Sequence, residues 1–146
     1  MGMIICRGQL VEDLWQWPPA EPPSAADPLA GGRVLLTLSQ WLQHRDRARG
    51  AGCGVWLAPE EDPAMLLPDL PELSLIAIHF PVFTDGRGYS QARLLRERHG
   101  YGGELRAVGD VLQDQLPLML RCGFDAFCLR TDQSLAEALR RIAGEP

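Results

Sequence analysis

The run Pro81-Val82-Phe83-Thr84-Asp85-Gly86-Arg87-Gly88-Tyr89-Ser90 gathers more chemistry than any other stretch of the chain. An acid, a hydroxyl and a guanidinium stand close together, two glycines bracket the arginine, and Ser90 sits where a helix reaching His99 is predicted to begin. Helix-end amides beside a guanidinium form a pocket for a small oxyanion or a phosphate. Thr84, Gly86, Arg87, Gly88 and Ser90 are therefore candidate ligand-binding residues. Asp85 and Tyr89 have the side-chain types of a proton-transfer pair. With Arg87 and Asp110 they form a candidate catalytic set. The competing reading is structural: Asp85 pairs with Arg87, Ser90 caps the helix, and the glycines supply positive φ angles for a tight turn.

A second group follows the next predicted strand. Asp110 reads as the N-cap of a helix over 111–122, and Asp114, four residues on, shares its face. Either acid is placed to receive Arg87 or Arg106, and Gln115 adds an amide to the ligand-binding set of Arg106, Asp114 and Gln115. Arg106 interrupts the apolar strand Glu104 to Val108, so it is expected to be paired internally or to sit at an edge. His79 ends the apolar run Leu75 to Phe80 and is either a proton carrier or a packed residue. The loop Arg130-Thr131-Asp132 carries no distinctive pattern.

Composition removes several classes of function. All 14 positive residues are arginine and the formal charge is −5, so nothing basic is concentrated enough to neutralise a run of phosphates. Schiff-base and lysine-dependent phosphate chemistry are excluded. Cys6, Cys53, Cys122 and Cys128 contain no Cys-x-x-Cys pair, which argues against a zinc or iron–sulfur ligand set and for reduced, buried thiols. No dinucleotide fingerprint, Walker loop or His-Glu-x-x-His run is present, and the residues name no cofactor. No apolar stretch approaches eighteen residues and the start lacks a basic flank, so a cytoplasmic protein without membrane contact is expected.

The elements that must position these residues alternate. Strands are predicted at 34–38, 55–58, 75–80, 104–108 and 124–130. Helices are predicted at 40–49 after a Ser39 cap, from Asp62-Pro63 until Pro68 and Pro71 end it, at 90–99, at 111–122 with Pro117 kinking it or moving its start, and from Asp132 or Ser134 to Ala143. Such alternation predicts an α/β fold with a mainly parallel sheet of about five strands and right-handed crossovers, either open or half-barrel-like. A complete eight-unit barrel needs roughly 250 residues and is excluded. Residues 1–32 are read as short extended pieces broken at Arg7-Gly8 and a proline-rich arm carrying Trp15 and Trp17, and 33–146 as the α/β domain. The arm and its tryptophans need a surface, which makes a homodimer one expectation.

The motif Phe80-Pro81-Val82-Phe83-Thr84-Asp85-Gly86-Arg87-Gly88-Tyr89-Ser90, with Arg93 and Arg96, Glu104-Leu105-Arg106, Gly109-Asp110, Asp114-Gln115 and Arg121-Cys122-Gly123-Phe124-Asp125, resembles the bacterial domain of unknown function 934 family. The likeness is dense from Phe80 to Arg130 and looser from Val34. Members are commonly labelled predicted oxidoreductases of sulfite reduction, a label resting on genes beside an assimilatory sulfite or nitrite reductase. The resemblance and the residues together leave three expectations. The first is an accessory protein that contacts the reductase or a small oxyanion through the 84–90 loop. The second is a small oxidoreductase or lyase of sulfur metabolism, and the third a homodimeric interaction domain in which the same residues are structural pairs.

Overall fold

The computed structural model describes residues 2–15, 33–49 and 52–144. The expectations for Trp17 and the prolines up to Pro28 lie outside them. Among the described residues seven strands form one mixed sheet: β1 (Met3–Cys6), β2 (Gln9–Glu12), β3 (Leu35–Thr37), β4 (Gly54–Leu57), β5 (Leu75–Phe80), β6 (Glu104–Gly109) and β7 (Ala126–Phe127), in the order β2-β1-β7-β6-β5-β4-β3. The α/β class and the mainly parallel sheet are as expected, while the count rises from five to seven. The extended pieces around Arg7-Gly8 form a hairpin that adds to β7 antiparallel, with Ile5 opposite Phe127 and Cys6 opposite Ala126.

From β3 to β7 the strands are parallel and lie in chain order. Crossovers of one hand between sequential neighbours return each connection to the same side of the sheet. The main core accordingly holds Leu38 and Trp41 of α1 (Leu38–Ala48), Ala92 of α2 (Arg87–Arg93), Met119 of α3 (Leu116–Cys122) and Ala138 of α4 (Leu135–Ala143) against Val55, Ile76, Ile78, Leu105 and Phe127. The other face carries a small separate cluster of Leu35, Leu75, Ala77 and Val108, with Trp15, Trp56 and Cys128 packed on it.

Local chemistry accounts for the element ends. Thr37, rather than Ser39, caps α1 by accepting from the Gln40 amide, while the Gln40 side chain accepts from the Thr37 N–H. Asp62 caps a 3-10 helix at Pro63–Glu72 that runs through Pro68 and Pro71 instead of stopping there, because the fixed proline φ suits a 3-10 turn. Its Asp69 is fully buried and accepts from Trp41 Nε1 at 2.9 Å and Arg49 Nη2 at 2.6 Å, with Arg45 Nε at 2.9 Å. Burial pushes that carboxyl up; the hydrogen bonds from Trp41 and Arg49 and the two guanidinium charges outweigh it and hold it below the usual range.

The helix after β5 starts at Arg87, three residues before the predicted Ser90, and a π turn at Leu94–Arg98 extends it. Pro117 moves the start of α3 to Leu116, leaving a 3-10 turn at Gln113–Gln115, so Asp110 caps no helix. Ser134 caps α4 through the Glu137 amide. Among the described residues no helix is long and apolar enough to cross a membrane.

Gly88 lies where α2 comes closest to β5. A Cβ at this position would stand 2.6 Å from Phe80 Cζ and 3.0 Å from Ile78 Cγ2. Gly88→Ala is expected to lower unfolding stability by about 1–3 kcal/mol through overpacking, checked by urea denaturation; an unchanged midpoint would contradict this contact.

Candidate functional site

The carboxyl ends of the parallel strands carry the segment singled out by its chemistry. After Phe80 the chain turns at Pro81, and the Asp85 amide returns to the Val82 carbonyl at 3.0 Å. Asp85 accepts from the Arg87 amide at 3.0 Å and from Arg87 Nη2 at 2.7 Å. The acid and the guanidinium thus satisfy each other. Gly86, at φ −86°, and Gly88 lie outside the left-handed region. The positive φ expected of them is corrected: what Gly88 supplies is close approach to Phe80. Ser90 and Thr84 are exposed.

The two sides of the turn at Phe83 are clamped. Its N–H donates to Asp110 Oδ2 at 2.7 Å, and its carbonyl accepts from Gln115 Nε2 at 2.6 Å. Asp110 also accepts from Arg130 Nη1 at 2.8 Å, and Arg130 reaches Asp132 through Nε at 2.7 Å. Three loops therefore join into one ledge. On it Val82 is 52% and Phe83 45% exposed. An aromatic side chain in water on a backbone held at both polar groups is the notable feature of this edge.

The remaining predicted residues are elsewhere. Tyr89 turns to the helix side and packs on Phe80 with ring centroids 5.3 Å apart; burial, then the neighbouring Cys122, raises its phenol. Asp114 and Asp110 share no helix face, because residues 110–112 are not helical; Asp114 instead pairs with Arg141 of α4 at 3.1 Å. Arg106 is 2% exposed on the second face of the sheet, bonded to Asp13 through Nη1 and to Glu104 through Nε, each at 2.9 Å. It takes neither Asp110 nor Asp114, and the internal pairing expected of it is what the fold contains. Arg96, projecting from the π turn, donates to the carbonyls of Gly123, Tyr101 and Gly103 near the opposite end of the sheet.

Sequence reasoning passed over Arg130 and Phe83. The signal for the first was present, since Arg130-Thr131-Asp132 mirrors Asp85-Gly86-Arg87 as an acid and arginine two apart. His79 lies half-buried on the second face, its ring 4.8 Å from that of Trp56. Desolvation lowers its pKa, against a smaller opposing effect of Glu60. A cavity of about 440 Å³ opens beside Arg7, Leu120, Arg121, Asp125, Phe127 and Ile142, and no residue of the 81–90 loop lines it.

The hydrogen bonds from the Arg87 guanidinium and from its amide, with a smaller contribution from the guanidinium charge, hold the Asp85 carboxyl down at about 2. A carboxyl depressed in the folded state contributes stability above its ordinary value near 3.9 and loses it as pH falls toward about 2. A carbon-detected NMR titration is expected to show Asp85 ionising near 2 in the native chain and distinctly higher in Arg87→Ala, short of the free value because the amide at position 87 still donates to the carboxylate. Equal midpoints in the two proteins would refute the pairing.

The profile described as Bacterial protein of unknown function (DUF934) matches residues 54–144. That span runs from β4 to the end of α4 and includes the whole ledge. Comparison with curated proteins gives no match. With the match covering more than half of its length, the chain belongs to the bacterial protein family of unknown function DUF934.

Proposed function

We propose that this chain is a cytoplasmic accessory protein of assimilatory sulfite reduction, and that it docks the reductase through the ledge at the carboxyl ends of its parallel strands. The observation that carries the docking role is the double clamp on Phe83. Protein interfaces draw most of their affinity from a few aromatic and arginine anchors ringed by polar contacts. Val82 and Phe83 supply the apolar centre here, and the Asp85–Arg87 and Asp110–Arg130–Asp132 pairs supply the rim. Because the backbone is already fixed, little ordering entropy is lost on contact. The sulfite part rests on the family resemblance, whose members lie beside reductase genes.

Acid–base turnover by Asp85 and Tyr89 has weaker support. Arg87 holds the acid ionised and bonded to itself, and Tyr89 packs on Phe80 of the helix-side core. Arg87, already bonded to Asp85, would have to surrender that contact to take an oxyanion.

Purified chain and purified assimilatory sulfite reductase, studied by biolayer interferometry, test the reading. Phe83→Ala is expected to weaken binding about 30-fold or more with an unchanged thermal midpoint, as for an anchor worth about 2 kcal/mol. Unaltered affinity would contradict it. So would a thermal midpoint raised by sulfite in the native chain and not in Arg87→Ala, which would favour a ligand site.

A further inference from the structure

We propose that the cavity at the amino ends of the parallel strands binds a small carboxylic acid with an apolar body, its carboxylate held by Arg7. The cavity has a volume of about 440 Å³, within the range of small-molecule sites. Phe127 of β7, Leu120 near the end of α3 and Ile142 near the end of α4 give it apolar walls, while Arg7, Arg121 and Asp125 supply a polar side. It lies at the opposite end of the sheet from the ledge. β1 runs antiparallel to β7, and the Arg7 amide donates at 2.8 Å to the carbonyl of Asp125, the residue just before β7. Its ligand and the docking role of the ledge therefore stand or fall separately.

Arg7 stands where its residue type is unusual. It is the first of two left-handed residues in the turn between β1 and β2, at φ 51°, followed by Gly8 at φ 79°. Such turns favour Asn, Asp or Gly at that position, and a long side chain at positive φ carries a conformational cost. Pairing with Asp125 offsets little of it: Arg7 Nε lies 3.5 Å from Oδ2, and 69% of the Arg7 side chain stays exposed. Asp125 is served without Arg7, since it accepts from the Leu105 amide at 2.8 Å and has Arg96 Nη2 at 3.5 Å. With Nε toward Asp125, the guanidinium edge that carries Nη1 and Nη2 makes no bond to the described residues. Two parallel N–H groups on such an edge match a planar carboxylate. The charge agrees, because Arg7, Arg96 and Arg121 gather around the single carboxylate of Asp125 in a chain of formal charge −5. An anionic head is attracted there and a cationic one repelled, and an apolar body seated against Leu120, Phe127 and Ile142 leaves water.

Titration of the full chain with octanoate, followed by amide NMR, tests the site, with octanol and octylammonium as ligands of the same tail. Octanoate is expected to move the amides of Gly8, Arg121, Phe127 and Ile142 to saturation, with an affinity about ten-fold or more above that of either control. Arg7→Asn, a replacement suited to the turn, is expected to weaken octanoate about ten-fold and to leave octanol unchanged. Shifts that do not saturate, shifts centred away from the cavity, or equal affinity for octanol and octanoate would overturn the site. Tighter binding of octylammonium would overturn the charge assignment, and unchanged octanoate affinity in folded Arg7→Asn would overturn the role of Arg7. If that variant fails to fold, the comparison of the three ligands on the native chain decides.

Discussion

Sequential strand order combined with a single crossover hand sets what every other part of this molecule can do. With β3 to β7 laid side by side in chain order, the helices collect on one face and the other must be finished by different means. The finish is partly apolar, through Trp15 and Trp56 over Leu35, Leu75, Ala77 and Val108, and partly ionic, through Arg106 between Asp13 and Glu104. A buried guanidinium is tolerated only when paired and hydrogen-bonded. Asp13 follows directly on β2, so the pair also fastens the N-terminal hairpin's exit to the middle strand β6. The hairpin's place at the end of the sheet is fixed in part by that anchoring.

The same topology brings the βα loops together at one end. There, carboxylates and arginines are spent on one another, and the outcome is geometric: a turn whose central residue, Phe83, is held by a carboxylate on one side and an amide on the other. Exposed ion pairs contribute little to stability. Their effect at this edge is to set loop conformation, which is what a surface that recognises a partner requires. Seven polar residues of the family pattern thus divide among three jobs. Asp85, Arg87, Asp110 and Gln115 build the ledge, Glu104 and Arg106 complete the second face, and Arg96 ties off the carbonyls of Tyr101, Gly103 and Gly123.

Much of this was legible in the residues. Apolar runs such as Leu75 to Phe80 are typical of strands covered on both faces, and Asp62-Pro63 and Ser134 marked helix starts that the fold uses. Arg106 inside an apolar strand announced an internal pair. Its partner Asp13 was hidden, because 93 positions separate the two and no local pattern links them. The start of α2 was misplaced because Ser90 is a better capping residue than Gly86, while the closeness of Gly88 to Phe80, a tertiary demand, decides where the helix lies. Tyr89 and Asp85 are near in sequence yet take different partners, Phe80 and Arg87, since four positions along a turn and a helix start do not fix which side a side chain takes.

Hydrogen exchange with mass spectrometry on the chain alone and bound to assimilatory sulfite reductase tests the docking reading most directly. Added protection is expected in peptides covering residues 81–87 and 110–115, with the helix faces unchanged. Protection confined to the helices, or no change at the ledge while the reductase is bound, would contradict it.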